Sequence, residues 1–279
     1  MPTQKIYSNN ATYQKFEVLK TNRNKRYKYS EFLVEGVRNI NEAIKNGWTI
    51  CSFIYTFETK LSDWARNIIS DIKTEMNYEL TMDLMKKISS KEDTSELLAV
   101  VKMRKDTTSE IKLSANPLLA IFDRPSNKGN LGTLIRSCDS LGVEGLIITG
   151  HGVDLYDPDV ISSSMGSFFK VPVLRASSNE FVDVFIEQLR SNFPDVHLIG
   201  TTAHSEKAIY ELDLTGPVVF MIGNETDGLC YHYKEISDIM TTIPMAENSS
   251  ASSFNVACAS TVMFYEAVRQ RSFVENRKL

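Results

Sequence analysis

The chain has 279 residues, of which 42% are hydrophobic and 24% charged, and a formal net charge of −4. That length exceeds one typical domain, so two domains are expected. No run approaches the roughly 18 apolar residues of a membrane span, the opening "MPTQKIYSNNATYQKF" lacks the apolar stretch of a signal peptide, and the acidic balance argues against an indiscriminate nucleic-acid binder. A cytoplasmic protein with no membrane contact is the expectation. Cys51, Cys138, Cys230 and Cys258 form no C-x-x-C pair and read as free thiols. His151, His197, His204 and His232 show no H-E-x-x-H spacing, so no metal site is expected.

Residues 1–30 carry Lys5, Lys15, Lys20, Arg23, Lys25, Arg26 and Lys28 against Glu17 alone, a local net charge of +6. "KTNRNKRYKYSEF" interleaves these cations with Tyr27, Tyr29 and Phe32. Cations neutralise phosphates and aromatic rings stack on unpaired bases; a solvated, positive helix start is the bland alternative. Lys20, Arg23, Lys25, Arg26 and Lys28 are the candidate RNA contacts. Residues 31–48 begin apolar and turn amphipathic, with Val37, Ile40 and Ile44 on one helical face and Gly47 as a stop. A strand follows over 49–57, helices over 63–75 and 83–90, and a strand over 96–103. The first hundred residues thus read as a small alternating α/β unit. The polar stretch 104–117 is the best linker candidate.

From 118 the alternation sharpens. Strands are expected at 118–122, 145–150, 171–176, 197–203 and 217–224, with a last short strand ending in Ile243, Pro244 and Met245. Helices are expected at 131–142 and 180–190, and a long one closes the chain over 252–271. "PVVFMIGN" is nearly continuous apolar, as a strand buried on both faces should be. The order implies a parallel sheet with helices on both sides, and an ordinary doubly wound topology, since knots are rare.

Ligands of open parallel sheets bind beyond the carboxyl ends of strands. Three such ends here are rich in glycine and polar groups: "RPSNKGNLGTLIR", "GNETDGL" and "IPMAENSSASSFN". Together they point to one site rather than three independent turns. None is a G-x-G-x-x-G dinucleotide fingerprint, a P-loop or a G-x-S-x-G elbow.

In order and separation, "GNLGTLIRSCDSLGV", "IGNETDGL" and "IPM…SSFNVACA…YEAVRQR" resemble the three motifs of the SpoU-type, or TrmH-like, RNA ribose 2′-O-methyltransferases of the SPOUT superfamily. "NRNKRYKYSEFLVEGVRNINEAI" resembles the start of that family's L30e-like substrate-binding domain. "EFLVEGVR", "FDRP" and "DLYDPDVISSSMGSFF" are similar to a subgroup that modifies a uridine ribose of large-subunit ribosomal RNA and confers antibiotic resistance. The resemblance implies an α/β fold: a C-terminal parallel sheet with a deep trefoil knot, plus a smaller N-terminal α/β L30e-like domain. Its boundaries would be 1–106 for RNA binding, 107–117 for the linker and 118–279 for the methyltransferase. It also implies S-adenosylmethionine as methyl donor and a homodimer whose site is completed across the interface.

Carried onto this sequence, the resemblance implies catalytic roles for Asn130, Arg136, Glu225, Ser253 and Asn255. Thr201, Gly223, Ile243, Met245 and Phe254 fall where the family contacts its cofactor. Two departures stand out. The spacing from Ile243 to Ser253 is two residues longer than the common form, with Glu247 where glycine is usual. Ser162 also replaces an arginine that relatives carry, so Lys170 or the N-terminal cluster would have to grip phosphate instead. Arg136 is the family's proposed base, yet arginine ordinarily stays protonated below about pH 12; the competing role is electrostatic stabilisation of a developing alkoxide.

The expected function is methylation of an RNA ribose, in a ribosomal uridine. A transfer-RNA ribose methyltransferase shares the same motifs, and a non-catalytic RNA-binding protein that keeps the fold is the remaining alternative. The last helix predicts a dimer independently: Phe254, Val256, Val262, Phe264, Ala267 and Val268 exceed what one covered face requires.

Overall fold

The computed structural model describes residues 1–205 and 207–275, so the last four residues of the expected 118–279 domain lie outside it. In chain order the first elements are β1 (Thr3–Ile6), α1 (Ala11–Thr21), α2 (Arg23–Tyr29), β2 (Glu31–Glu35), α3 (Val37–Lys45) and β3 (Ile50–Thr56). They are followed by α4 (Asp63–Asp71), β4 (Asn77–Leu80), α5 (Met82–Ile88), β5 (Leu97–Lys102), β6 (Leu118–Phe122), α6 (Lys128–Ser140) and β7 (Gly145–Ile148). The rest are α7 (Pro158–Ser164), β8 (Val173–Arg175), α8 (Asn179–Asn192), β9 (His197–Thr201), β10 (Val218–Ile222), α9 (Tyr231–Glu235), β11 (Ile239–Thr241) and α10 (Val256–Glu275). Two compact units result: Met1–Lys105 with Asp154–Lys170, and Asp106–Val153 with Val171–Leu279.

The first unit holds a sheet in the order β1-β4-β3-β5-β2, with β1, β4 and β3 parallel and β5 antiparallel to both its neighbours. Helix starts are set locally: Asn10 Oδ1 accepts from the Tyr13 N–H and Ser62 Oγ from the Ala65 N–H, each satisfying an orphan donor. One core forms where Tyr13, Phe16 and Leu19 of α1 and Leu84, Met85 and Ile88 of α5 meet Leu33, Ile54, Leu98 and Val100 of the sheet. A second is aromatic. Phe32 and Trp48 pack against Tyr156, Phe168 and Phe169, with ring centroids 4.9 Å apart for Phe32–Tyr156 and 5.4 Å for Trp48–Phe168. The Trp48 indole N–H donates to the Phe169 carbonyl at 2.8 Å. Apolar burial of these rings is what draws Asp154–Lys170 into this unit although it lies far along the chain.

The second unit holds an all-parallel sheet in the order β11-β9-β10-β6-β7-β8. Every residue of β6 and β10 is buried, as their apolar runs require. Helix α8 supplies Val182, Phe185, Ile186 and Leu189 to the core on one face, and α10 packs along α6. Strands β6, β7 and β8 extend to one side of β10, and β9 and β11 to the other. The chain therefore reverses direction of winding beside β10, the place where open sheets open a crevice.

Two expectations are corrected. Residues 31–48 are a strand, a turn at Gly36 with φ +97°, and then a helix; Val37 is 52% exposed and Ile40 and Ala43 provide the buried face. Ile243, Pro244 and Met245 lie beyond β11, which ends at Thr241 in register with Thr201 of β9. The linker candidate 104–117 is held within the second unit from Asp106 on. Asp106 pairs with Arg175, Ser114 bonds Glu144, and Ile111 is buried in the core of the second unit.

Candidate active site

The carboxyl ends of β10, β9 and β11 and the first turn of α6 converge on a cavity of about 420 Å³, a size suited to a small-molecule ligand. Its floor is apolar, from Ile222, Val256 and Met263, and its rim is polar. Thr201, Gly223, Ile243, Met245 and Phe254 all line it, and so do Asn130, Glu225, Ser253 and Asn255. Gly223 is required here by close approach. A Cβ on it would stand 2.3 Å from the Leu229 nitrogen, where the 224–228 loop folds back.

A continuous polar chain joins the three loops. The Glu225 carboxylate accepts from Ser126 Oγ at 2.6 Å, the Ser126 N–H at 2.9 Å, the Asn127 N–H at 3.2 Å and Asn130 Nδ2 at 3.1 Å. Asn130 Oδ1 in turn accepts from Asn255 Nδ2 at 3.0 Å. Asn255 Oδ1 accepts from the Ala257 and Cys258 N–H groups and so caps α10, while Asn127 Oδ1 caps α6 through the Asn130 N–H. Burial alone would push the Glu225 carboxyl up; the hydrogen bonds from Ser126 and Asn130 outweigh it and hold it below the usual carboxylate range. Glu225 is thus an ionised organiser with its lone pairs committed to the first loop. Ser253 Oγ has no hydrogen bond among the described residues and stands exposed at the cavity.

Arg136 is elsewhere. It follows Asn130 by six residues on α6, and at 100° per residue that rotation carries it to a different face. It is exposed and lines a second groove, between α6 and α10, with Thr133, Ser137, Thr261, Val262 and Tyr265. A single chain therefore does not bring Arg136 together with Asn130, Glu225, Ser253 and Asn255.

The five candidate RNA contacts also separate. Arg26 is 2% exposed, with Nε at 2.7 Å and Nη2 at 2.6 Å from Asp154 and Nη2 at 3.3 Å from Asp157. Its Nη1 donates to the Leu19 and Lys20 carbonyls, and Tyr27 Oη bonds the other Asp154 oxygen at 2.7 Å. That burial takes Arg26 off the surface. Lys20 Nζ donates to the Ser89 carbonyl at 2.8 Å, at the end of α5. Arg23 and Lys28 are exposed and Lys25 half-buried. Sequence reasoning missed Ser126 and Asn127, although "RPSN" directly after an apolar strand was the available signal. Among the described residues no group of three or more His, Cys, Asp or Glu could hold a metal, and no helix is long and apolar enough to cross a membrane.

A parallel sheet with these three loops knitted over one crevice defines the class. Residues 117–265 match the SpoU rRNA Methylase family and residues 10–99 the SpoU L30e-like domain. The chain belongs to the SpoU methylase family. It is 40% identical over 96% of its length, and 93% of the relative's, to the 23S rRNA (uridine(2479)-2′-O)-methyltransferase of Streptomyces viridochromogenes. It is 26% identical over 86% of its length, and 89% of the relative's, to the 23S rRNA (guanosine(2553)-2′-O)-methyltransferase RlmP of Bacillus subtilis. Among solved structures, the SpoU methyltransferase AviRb of Streptomyces viridochromogenes in complex with AdoMet matches with a TM-score of 0.89 at 40% identity, covering 94% of this chain and 98% of that one.

Proposed function

We propose that this protein methylates the 2′-hydroxyl of a uridine in large-subunit ribosomal RNA, with S-adenosylmethionine as methyl donor. The observation that carries the reading is the Glu225–Asn130–Asn255 chain over the cavity at the sheet edge. The residues fit the cofactor: an apolar floor for its adenine and backbone groups at Gly223, Ile243 and Met245 to hold its polar edges. When bound, S-adenosylmethionine supplies an electrophilic methyl group on a sulfonium. Asn130 and Asn255 fix each other and the start of α10, and Ser253 Oγ offers a hydroxyl to the incoming ribose. Holding that ribose oxygen in line supplies much of the rate.

The attacking hydroxyl must lose its proton to water and its charge must be stabilised. Arg136, reaching the site from a second copy, is the candidate for the charge: a guanidinium that stays protonated cannot take the proton but can stabilise the developing alkoxide. Val262 and Tyr265, 42% and 56% exposed beside Arg136, supply the apolar surface for a homodimer. In this reading 1–106 is the RNA-binding domain, 107–117 the linker and 118–279 the methyltransferase, threaded as the family's trefoil knot, and the enzyme works in the cytoplasm on ribosomal RNA. Arg23, Lys25, Lys28 and Lys170 are its candidate phosphate contacts.

The test is transfer of labelled methyl from S-adenosylmethionine to total RNA, followed by nuclease mapping. Label should appear on one ribose of the large-subunit RNA. Label on a base, or on transfer RNA only, would overturn the assignment.

A further inference from the structure

The residues "FDRP" close β6 and touch no part of the cavity, yet they hold the loop that does. Asp123 is 1% exposed. Its carboxylate accepts from Thr149 Oγ1 at 3.0 Å, the Cys230 N–H at 2.8 Å, and Arg124 Nε and Nη2 at 3.0 Å each. One buried anion thus fixes the end of β6 to the end of β7 and the start of α9. Arg124 has φ +48°, the left-handed region disfavoured for an L side chain. That turn lays its side chain over Gly150, where a Cβ would come within 2.5 Å of Arg124 Cγ.

The guanidinium lands on the far end of the 224–228 loop. Nη2 donates to the Gly228 carbonyl at 3.2 Å and Nη1 lies 3.9 Å from the Asp227 carboxylate. The Arg124 carbonyl meanwhile accepts from Asn224 Nδ2 at 2.6 Å. Both ends of the loop are therefore gripped by one residue. Between them the loop closes on itself: Asn224 and Gly228 exchange backbone bonds at 3.1 Å, and Asn224 Oδ1 takes the Thr226 and Asp227 N–H groups. Asn224, Glu225, Thr226 and Gly228 line the cavity and Arg124 does not.

We propose that Arg124 is a positioning residue, a clasp anchored on Asp123 that sets the 224–228 loop, and Glu225 with it, in the geometry that holds the methyl donor. This rests on the assignment of the cavity to S-adenosylmethionine. The backbone supplies the logic of the test. Glycine would take φ +48° with less strain than arginine but has no guanidinium to close the clasp. Arg124→Gly therefore removes the clasp while easing the main chain, and Asp123 keeps its Thr149 and Cys230 donors. Arg124→Lys keeps a charge but loses the planar fork that bridges Asp123 and Gly228.

The experiment measures melting temperature, S-adenosylmethionine affinity by calorimetry, and methyl transfer for wild type and the Gly, Asn and Lys variants. Arg124→Gly should stay folded at 25 °C, losing the stability that pairing with the buried Asp123 supplies, yet bind the cofactor about tenfold more weakly, the scale of one charged hydrogen bond. Arg124→Lys should not restore affinity. The side chain is 38% exposed, so millimolar guanidinium should rescue part of the Arg124→Gly loss and ethylammonium should not. Wild-type affinity in Arg124→Gly would overturn the clasp and leave the cavity assignment standing. Failure of the Gly and Asn variants alike to fold would make Arg124 a fold residue and overturn it too. Failure of wild type to bind S-adenosylmethionine would instead overturn the cavity assignment itself.

Discussion

Replacing Arg26 with alanine separates a structural arginine from a nucleic-acid contact. The guanidinium is buried against two carboxylates whose side chains are 5% and 13% exposed, and it also satisfies two backbone carbonyls. Its removal leaves Asp154 to the Tyr27 hydroxyl and the Tyr156 N–H, with no cation to balance its charge. Breaking a buried ion pair by deleting one partner costs about 3–5 kcal/mol. In a unit of this size, about 1 kcal/mol moves the melting temperature by roughly 3–4 °C, so Arg26→Ala should lower it by about 10–20 °C. The assay is denaturant unfolding, paired with RNA binding against log salt at a temperature where the variant stays folded. The salt slope should not change, because Arg26 releases no counterion. A Lys25→Ala, Lys28→Ala double variant should do the reverse: unchanged stability, and a slope reduced by roughly one to two units. An Arg26→Ala protein of wild-type stability with a slope lower by about one would refute this reasoning.

Glu225 is held ionised below the usual carboxylate range, so the order it gives the site is present above the unfolded carboxyl value of about 4.3 and is lost as pH falls through the lower folded value; cofactor affinity should accordingly hold down to pH 5, and Glu225→Gln should weaken it at every pH in a calorimetric titration. Asn130→Ala and Asn255→Ala should each cut methyl transfer at least tenfold, with the double variant far from additive, because one hydrogen bond joins them. Val262→Asp should convert the proposed dimer to a particle near 31.5 kDa in sedimentation and abolish activity, whereas a dimer that survives would place the interface elsewhere.

Much of the second unit was legible because parallel strands buried on both faces read as continuous apolar runs; 118–122 became β6 residue for residue. The three loops were legible for the same reason, as polar and glycine-rich breaks after those runs. The first unit resisted. β1 and β4 are four-residue strands, β1 at the sheet edge and β4 beside it, too short for a period to show. The strand Glu31–Glu35 merged with the following helix because Gly36 alone marks the turn between them. Arg26 read as an RNA contact because its partners, Asp154 and Asp157, lie 128 and 131 residues away. Arg136 was grouped with Asn130 by motif, while helical geometry sets them on different faces.

We assign the cavity at the carboxyl edge of the parallel sheet to the methyl donor. Ala203 is exposed on its rim and outside any helix or strand, so Ala203→Trp plugs the cavity without entering the core. The decisive measurement is calorimetric titration of S-adenosylmethionine into wild type and this variant. Wild type should bind one molecule per chain with a Kd on the order of micromolar, and Ala203→Trp, melting at the wild-type temperature, should show no binding. Equal affinity in the two proteins would place the cofactor elsewhere and contradict the account.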